Sequence, residues 1–177
     1  MQWLLSRKIR LIFIGIMLLS FIMSSVISAQ TEVPEDYGAK GALQEDDITL
    51  EKALTYAIQD EYLAQARYEA VIEKFGPTFP FTNIKVAEQR HIDALVRLFQ
   101  KYDIDIPKNF AKQYTPTPTT LKQAFEAGVE GEIDNIAMYE KLAEADIPDD
   151  AKRVFTNLRD GSKNHLAAFK SGLESAS

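Results

Sequence analysis

The sequence predicts an all-α protein, a four-helix bundle made of two antiparallel hairpins joined by a long crossover linker. Three observations predict it. Beyond about residue 47, apolar residues recur at alternating spacings of four and three through four long stretches, the period of helix faces buried against one another. Short breaks at Gly76-Pro77 and before Pro148 flank one long break rich in proline and threonine. The chain has 177 residues, of which 46% are hydrophobic, enough for one domain with a real core.

Taken in order, the first thirty residues stand apart from that pattern. Arg7, Lys8 and Arg10 precede an apolar run from Leu11 to Val26, and Ser24, Ser25, Ser28 and Ala29 offer small residues for cleavage near Ala29. That layout reads as a signal peptide over residues 1–29. Ile27 fits the cleavage rule imperfectly, and Leu11 to Ala29 approaches the length of a membrane span. An uncleaved N-terminal anchor is therefore the competing reading. Either one puts the rest of the chain outside the cytoplasm, whether secreted, periplasmic or in the cell envelope, with any membrane contact made through an uncleaved N-terminal segment.

Residues 30–46 are polar, contain Pro34, Gly38 and Gly41, and read as a flexible lead-in to a domain spanning 47–173. The first long helix runs from about Leu50 to Phe75 and stops at Gly76-Pro77. The second runs from near Pro80, a suitable first-turn proline, to Tyr102. A linker follows from Asp103 to Thr117, with Pro107, Pro116 and a Thr-Pro-Thr-Pro run. The third helix runs from around Thr119 to near Ala145, and the fourth from Pro148 to near Gly172. Tight turns make each pair of helices an antiparallel hairpin. The middle linker, at about 15 residues, reaches ~50 Å when extended, whereas a helix of about 25 residues is only ~38 Å long. The linker can therefore cross the whole bundle.

Composition excludes several chemistries. There is no cysteine, hence no disulfide, thiolate metal site, cysteine nucleophile or lipidated cysteine anchor. Met138 is the only methionine beyond the N-terminal segment, which leaves a methionine-rich copper site unsupported. Past residue 29 there are 17 basic and 26 acidic residues, a net charge of −9. Such a surface repels a phosphate backbone, so nucleic acid is not an expected partner.

The core seams carry charge near their middles. They read Leu54, Ile58, Glu61, Gln65, Tyr68, Ile72, Phe75 in the first helix and Ile84, Glu88, His91, Leu95, Leu98, Tyr102 in the second. The third reads Leu121, Phe125, Gly128, Glu132, Asn135, Tyr139, Leu142, and the fourth Phe155, Leu158, Ser162, His165, Phe169. An unpaired buried carboxylate costs several kcal/mol or neutralises. Three glutamates and the only two histidines on converging seams therefore call for a common partner, and a metal cation supplies the missing positive charge. The alternative is a metal-free network in which the glutamates satisfy the histidines directly. Glu88 and His91, three residues apart, leave one face of one helix, the Glu-x-x-His device of carboxylate-bridged metal sites. The hairpins also repeat: Glu61 and Tyr68-Glu69 recur as Glu132 and Tyr139-Glu140 at an offset of 71, and His91 recurs as His165 at 74. Tyr68 and Tyr139 lie two turns from their glutamates on the same face, either filling the core or supporting the site beside it.

These segments, Asp60-Glu61-Tyr62 through Arg67-Tyr68-Glu69, Ala87-Glu88-Gln89-Arg90-His91 and Glu132 through Met138-Tyr139-Glu140, resemble the ferritin-like superfamily. The likeness is greatest to rubrerythrin-type members and to an uncharacterised ferritin-like domain family of unknown function. The resemblance covers roughly residues 47–173. It implies a di-iron centre that reacts with dioxygen or peroxide, with Glu61, Glu88 and His91 on one metal and Glu132 and His165 on the other. By ligand type, manganese is the other metal that suits such a site. One departure stands out: where a second Glu-x-x-His is expected, the fourth helix reads Ser162-Lys163-Asn164-His165. The second bridging glutamate is thus missing, and two irons or one become alternatives. No four-cysteine rubredoxin-like module is present, and nothing visible encodes the many-subunit shell of an iron store. The leading expectation is an exported metal-binding protein, and a di-iron oxidoreductase or peroxidase if it turns over. Its rival is a non-catalytic helical interaction module of the cell envelope.

Overall fold

The computed structural model describes residues 32–175. The segment expected to act as a signal peptide or anchor lies outside them. Among the described residues there are six helices and no strand: α1 (Gly38–Gln44), α2 (Leu50–Phe75), α3 (Phe81–Lys101), α4 (Ala111–Tyr114), α5 (Leu121–Glu144) and α6 (Asp149–Ser175). None of them is long and apolar enough to cross a membrane.

Local chemistry explains the helix ends. Thr49 and Thr120 cap α2 and α5 by accepting from the backbone N–H groups of Lys52 and Gln123, which satisfies donors left orphaned in a first turn. α2 stops at Gly76, whose φ of +80° is a conformation that residues with a Cβ resist. Pro80 stands just outside α3 at its N-cap position and makes no side-chain capping bond.

The four long helices form the two expected hairpins, α2 with α3 and α5 with α6, which meet along α2–α5 and α3–α6. Side-chain pairing shows the crossover. Tyr68 of α2 bonds to Glu132 of α5, and Glu61 of α2 to Tyr139 of α5. Residues higher in α2 thus meet residues lower in α5, and the two helices are antiparallel. For α5 to start where α2 ends, the linker after α3 must run the length of the bundle. It travels along α2 as it does so, with Ala111 of α4 against Leu63 and Ala66, and Lys112 paired to Glu69.

The lead-in departs from expectation. Residues 38–44 form α1, which packs on α2 and α5 with Ala39 and Ala42 buried. Its first N–H groups are held by α2: Gly38 donates to Gln59 and Ala39 to Asp60, both at 3.0 Å. Those bonds, absent from any local reading of a glycine-containing polar segment, hold this stretch as a helix.

Two apolar layers fill the bundle. One gathers Leu54, Ile58, Leu95, Phe99, Met138, Leu142 and Phe155; the other gathers Tyr68, Val71, Phe81, Ile84, Phe125 and Phe169. Each fully buried Leu or Phe contributes about 2–3 kcal/mol. Between the layers lies a polar belt, and the layers offset what that belt costs.

Candidate metal centre

Each of the four long helices contributes to the belt. Glu61, Glu88, Glu132, Ser162 and His165 are buried, and the His91 side chain is 12% exposed. The structure therefore brings together all five residues expected as ligands. Glu88 lies at the middle. Its Oε2 is 2.8 Å from His91 Nδ1, and its Oε1 is 3.0 Å from His165 Nδ1. Glu61 Oε2 flanks His91 Nδ1 at 3.3 Å and Glu132 Oε1 flanks His165 Nδ1 at 3.5 Å. The two imidazoles stack with centroids 5.4 Å apart and planes 23° from parallel.

Charge in this belt is balanced by protons. Burial drives the Glu61 carboxyl up to about 7, with the neighbouring Glu88 charge adding to it. Burial also works against a charged His91, yet Glu61 and Glu88 beside it lift the imidazole to about 10. His165 behaves likewise: against burial, Glu132 and Glu88 raise it to about 9. Burial alone would raise Glu88 too, but the histidines on either side outweigh it and hold its carboxyl below the usual range.

The donor set fits a cation. The ligand atoms of Glu88, His91 and His165 lie within 4.8 Å of one another. His165 Nδ1 is buried, and neither carboxylate oxygen near it meets hydrogen-bond geometry. A ring nitrogen pressed among carboxylates without a directed bond is the arrangement a metal ligand needs, since imidazole and carboxylate then share the ion instead of a proton.

Three further groups shape the belt. Tyr68 donates to Glu132 Oε1 at 2.6 Å and Tyr139 to Glu61 Oε1 at 2.5 Å. Each phenol thus serves the glutamate of the opposite hairpin, not the one on its own helix. Burial and the adjacent carboxylates raise both phenols well above their ordinary value, so they remain protonated donors. Ser162 Oγ donates to Asn135 Oδ1 at 2.5 Å and lies 3.1 Å from the Leu158 carbonyl. Asn135 is a seam residue whose partners sequence spacing could not reveal. Gly161, which the seam pattern leaves out altogether, provides clearance: a Cβ there would sit 2.8 Å from His91 Nε2.

The family model described as Rubrerythrin matches residues 52–173. The uncharacterised protein MJ0754 of Methanocaldococcus jannaschii is 32% identical over 126 residues, which cover 63% of this chain and 68% of that protein. A crystal structure of hypothetical protein MJ0754 from the same organism aligns with a TM-score of 0.65 at 28% identity, covering 75% of this chain and 85% of the other. The matched span reaches from the first turn of α2 into the last turns of α6 and takes in every residue of the belt; the chain belongs to the rubrerythrin family, within the ferritin-like superfamily.

Proposed function

We propose that this chain is an exported metal-binding protein in which Glu61, Glu88, His91, Glu132 and His165 would hold iron, as two ions or one. The observation that carries the reading is the placement of Glu88, whose two oxygens each face a different histidine at 2.8 and 3.0 Å. Export rests on the basic residues and apolar run of residues 1–29, and retention of that segment on a chain recovered outside the cytoplasm would favour the anchor.

Iron bound there would supply electrons to dioxygen or peroxide. The protein's own contribution is to hold the donors. His91 and His165 fix one position each, Glu88 spans them, and Glu61 and Glu132 close the outer sides. Tyr68 and Tyr139 keep those outer carboxylates oriented. The apolar layers above and below exclude bulk water. Manganese suits the same donors by type.

Metal content per chain, measured after anaerobic loading with ferrous iron and desalting, tests this. Two irons or one in the wild type and none in a Glu88→Ala, His91→Ala double variant that keeps its helical spectrum is the expected result. Unchanged loading in the variant would sink the site. A second reading draws on Ser162, whose proton is already given to Asn135 where the resemblance expects a bridging glutamate. An envelope interaction module without metal chemistry predicts no uptake of iron, manganese or zinc and stability indifferent to chelators.

A further inference from the structure

Asp60 precedes Glu61 on α2, so its side chain leaves the helix about 100° round from the metal-facing seam and meets other neighbours. Its Oδ2 accepts from Asn135 Nδ2 at 2.8 Å, and its Oδ1 accepts from the backbone N–H of Ala39 in α1 at 3.0 Å. Asn135 Oδ1 accepts in turn from Ser162 Oγ at 2.5 Å. Asn135 and Ser162 are 4% and 1% exposed. One run of hydrogen bonds therefore joins α1, α2, α5 and α6, and it ends one helical turn before His165 on the same face of α6.

The polarity of this run follows from its chemistry. Both Asp60 oxygens accept in this run, Oδ1 from the Ala39 N–H and Oδ2 from the Asn135 NH₂, which leaves the Asn135 carbonyl oxygen facing Ser162. Ser162 has a single proton, directed at Asn135 Oδ1 at 2.5 Å, with the Leu158 carbonyl as a second acceptor at 3.1 Å. Anything else the hydroxyl meets finds only lone pairs. A glutamate at this position would be a metal ligand. A serine free to rotate could donate to an anion; the fixed serine has no free proton to give and offers only uncharged lone pairs.

We propose that Asp60 and Asn135 are positioning residues of the metal centre. They fix Ser162 as a hydrogen-bond acceptor on the His165 side, so that the ion held by His165 and Glu132 fills the missing carboxylate's place with a water molecule donating to Ser162. The inference rests on the metal-binding reading and adds the nature of the ligand in one position. It also assigns a role to the Ala39 contact: docking of α1 supplies the second hydrogen bond that orients Asp60.

Cobalt(II) is a suitable probe, because its d–d absorption reports coordination geometry directly. The full chain is loaded with cobalt alongside Ser162→Ala, Ser162→Thr, Asp60→Asn and His165→Ala, the last identifying bands that belong to the His165 side. Ser162→Ala exchanges one small residue for another within a helix and should fold whatever becomes of Asp60→Asn. The expected result is a shift of the His165-dependent bands in Ser162→Ala and Asp60→Asn, with the wild-type spectrum recovered in Ser162→Thr, which keeps the hydroxyl. Bands unchanged in both shifted candidates, even with lowered stability, would overturn the proposal and leave metal binding intact. No cobalt uptake by the wild type would overturn the metal reading and this proposal together.

Discussion

Gly161 contributes to the centre through the side chain it lacks. A Cβ there would lie 2.8 Å from His91 Nε2 and 3.0 Å from Cε1, closer than real contacts allow. The ring has little freedom to retreat, because Glu61 and Glu88 hold its other nitrogen. In an exposed helix, Gly→Ala gains about 1 kcal/mol. Here Gly161→Ala should weaken metal binding by about tenfold or more, read by competition with a chromogenic chelator; unchanged affinity with a raised Tm would refute the clearance argument. The tyrosines allow a parallel test. Tyr68→Phe and Tyr139→Phe each leave a buried glutamate without its phenol donor, a loss of about 1–3 kcal/mol in urea unfolding of the metal-free protein. A change under about 0.5 kcal/mol would mean that the phenols only fill space.

At the scale of elements, the four long helices and their boundaries were legible because the hydrophobic period survives translation into structure nearly unchanged. Glu61, Glu88, His91, Glu132 and His165 were legible for the same reason: they interrupt apolar seams, and the two hairpins repeat the interruption. The Asp60–Asn135–Ser162 run was not, because it depends on which seam residues face each other across the two hairpins, a register that no single helix encodes. Nor was α1. Its order comes from Gln59 and Asp60 of another helix and from a close approach that glycine permits, since a Cβ on Gly41 would meet the Asp36 backbone at 2.6 Å and Tyr56 at 2.7 Å. Gly41→Val should therefore undock α1 at a cost of about 1–3 kcal/mol. Hydrogen exchange would show lost protection confined to residues 38–44 and retained protection in α2, α3, α5 and α6; full protection in the variant would contradict the docking account.

At the scale of the whole molecule, the fold surrounds a belt whose charge is balanced by protons or by a cation, and pH decides between them. His91 and His165 have folded values of about 10 and 9 against an ordinary 6.5. Their protonation therefore stabilises the metal-free fold fully below about 6.5, and that contribution disappears as pH rises through 9 to 10. Glu61, raised to about 7 from 4.5, acts in the same direction at lower pH: its retained proton favours the fold below about 4.5, and the contribution fades as pH climbs to 7. Metal ligands must instead be deprotonated, so affinity for the ion grows over the same range. The two trends oppose each other, and the gap in Tm between loaded and metal-free protein should widen steadily from pH 6 to pH 9. Loading at pH 7.5 should also release more than one proton per chain into a weakly buffered indicator solution, because both imidazoles are protonated there before the ion arrives. A Tm gap that is flat or narrows with pH, or loading without proton release, would show that the cation does not occupy the place these protons hold.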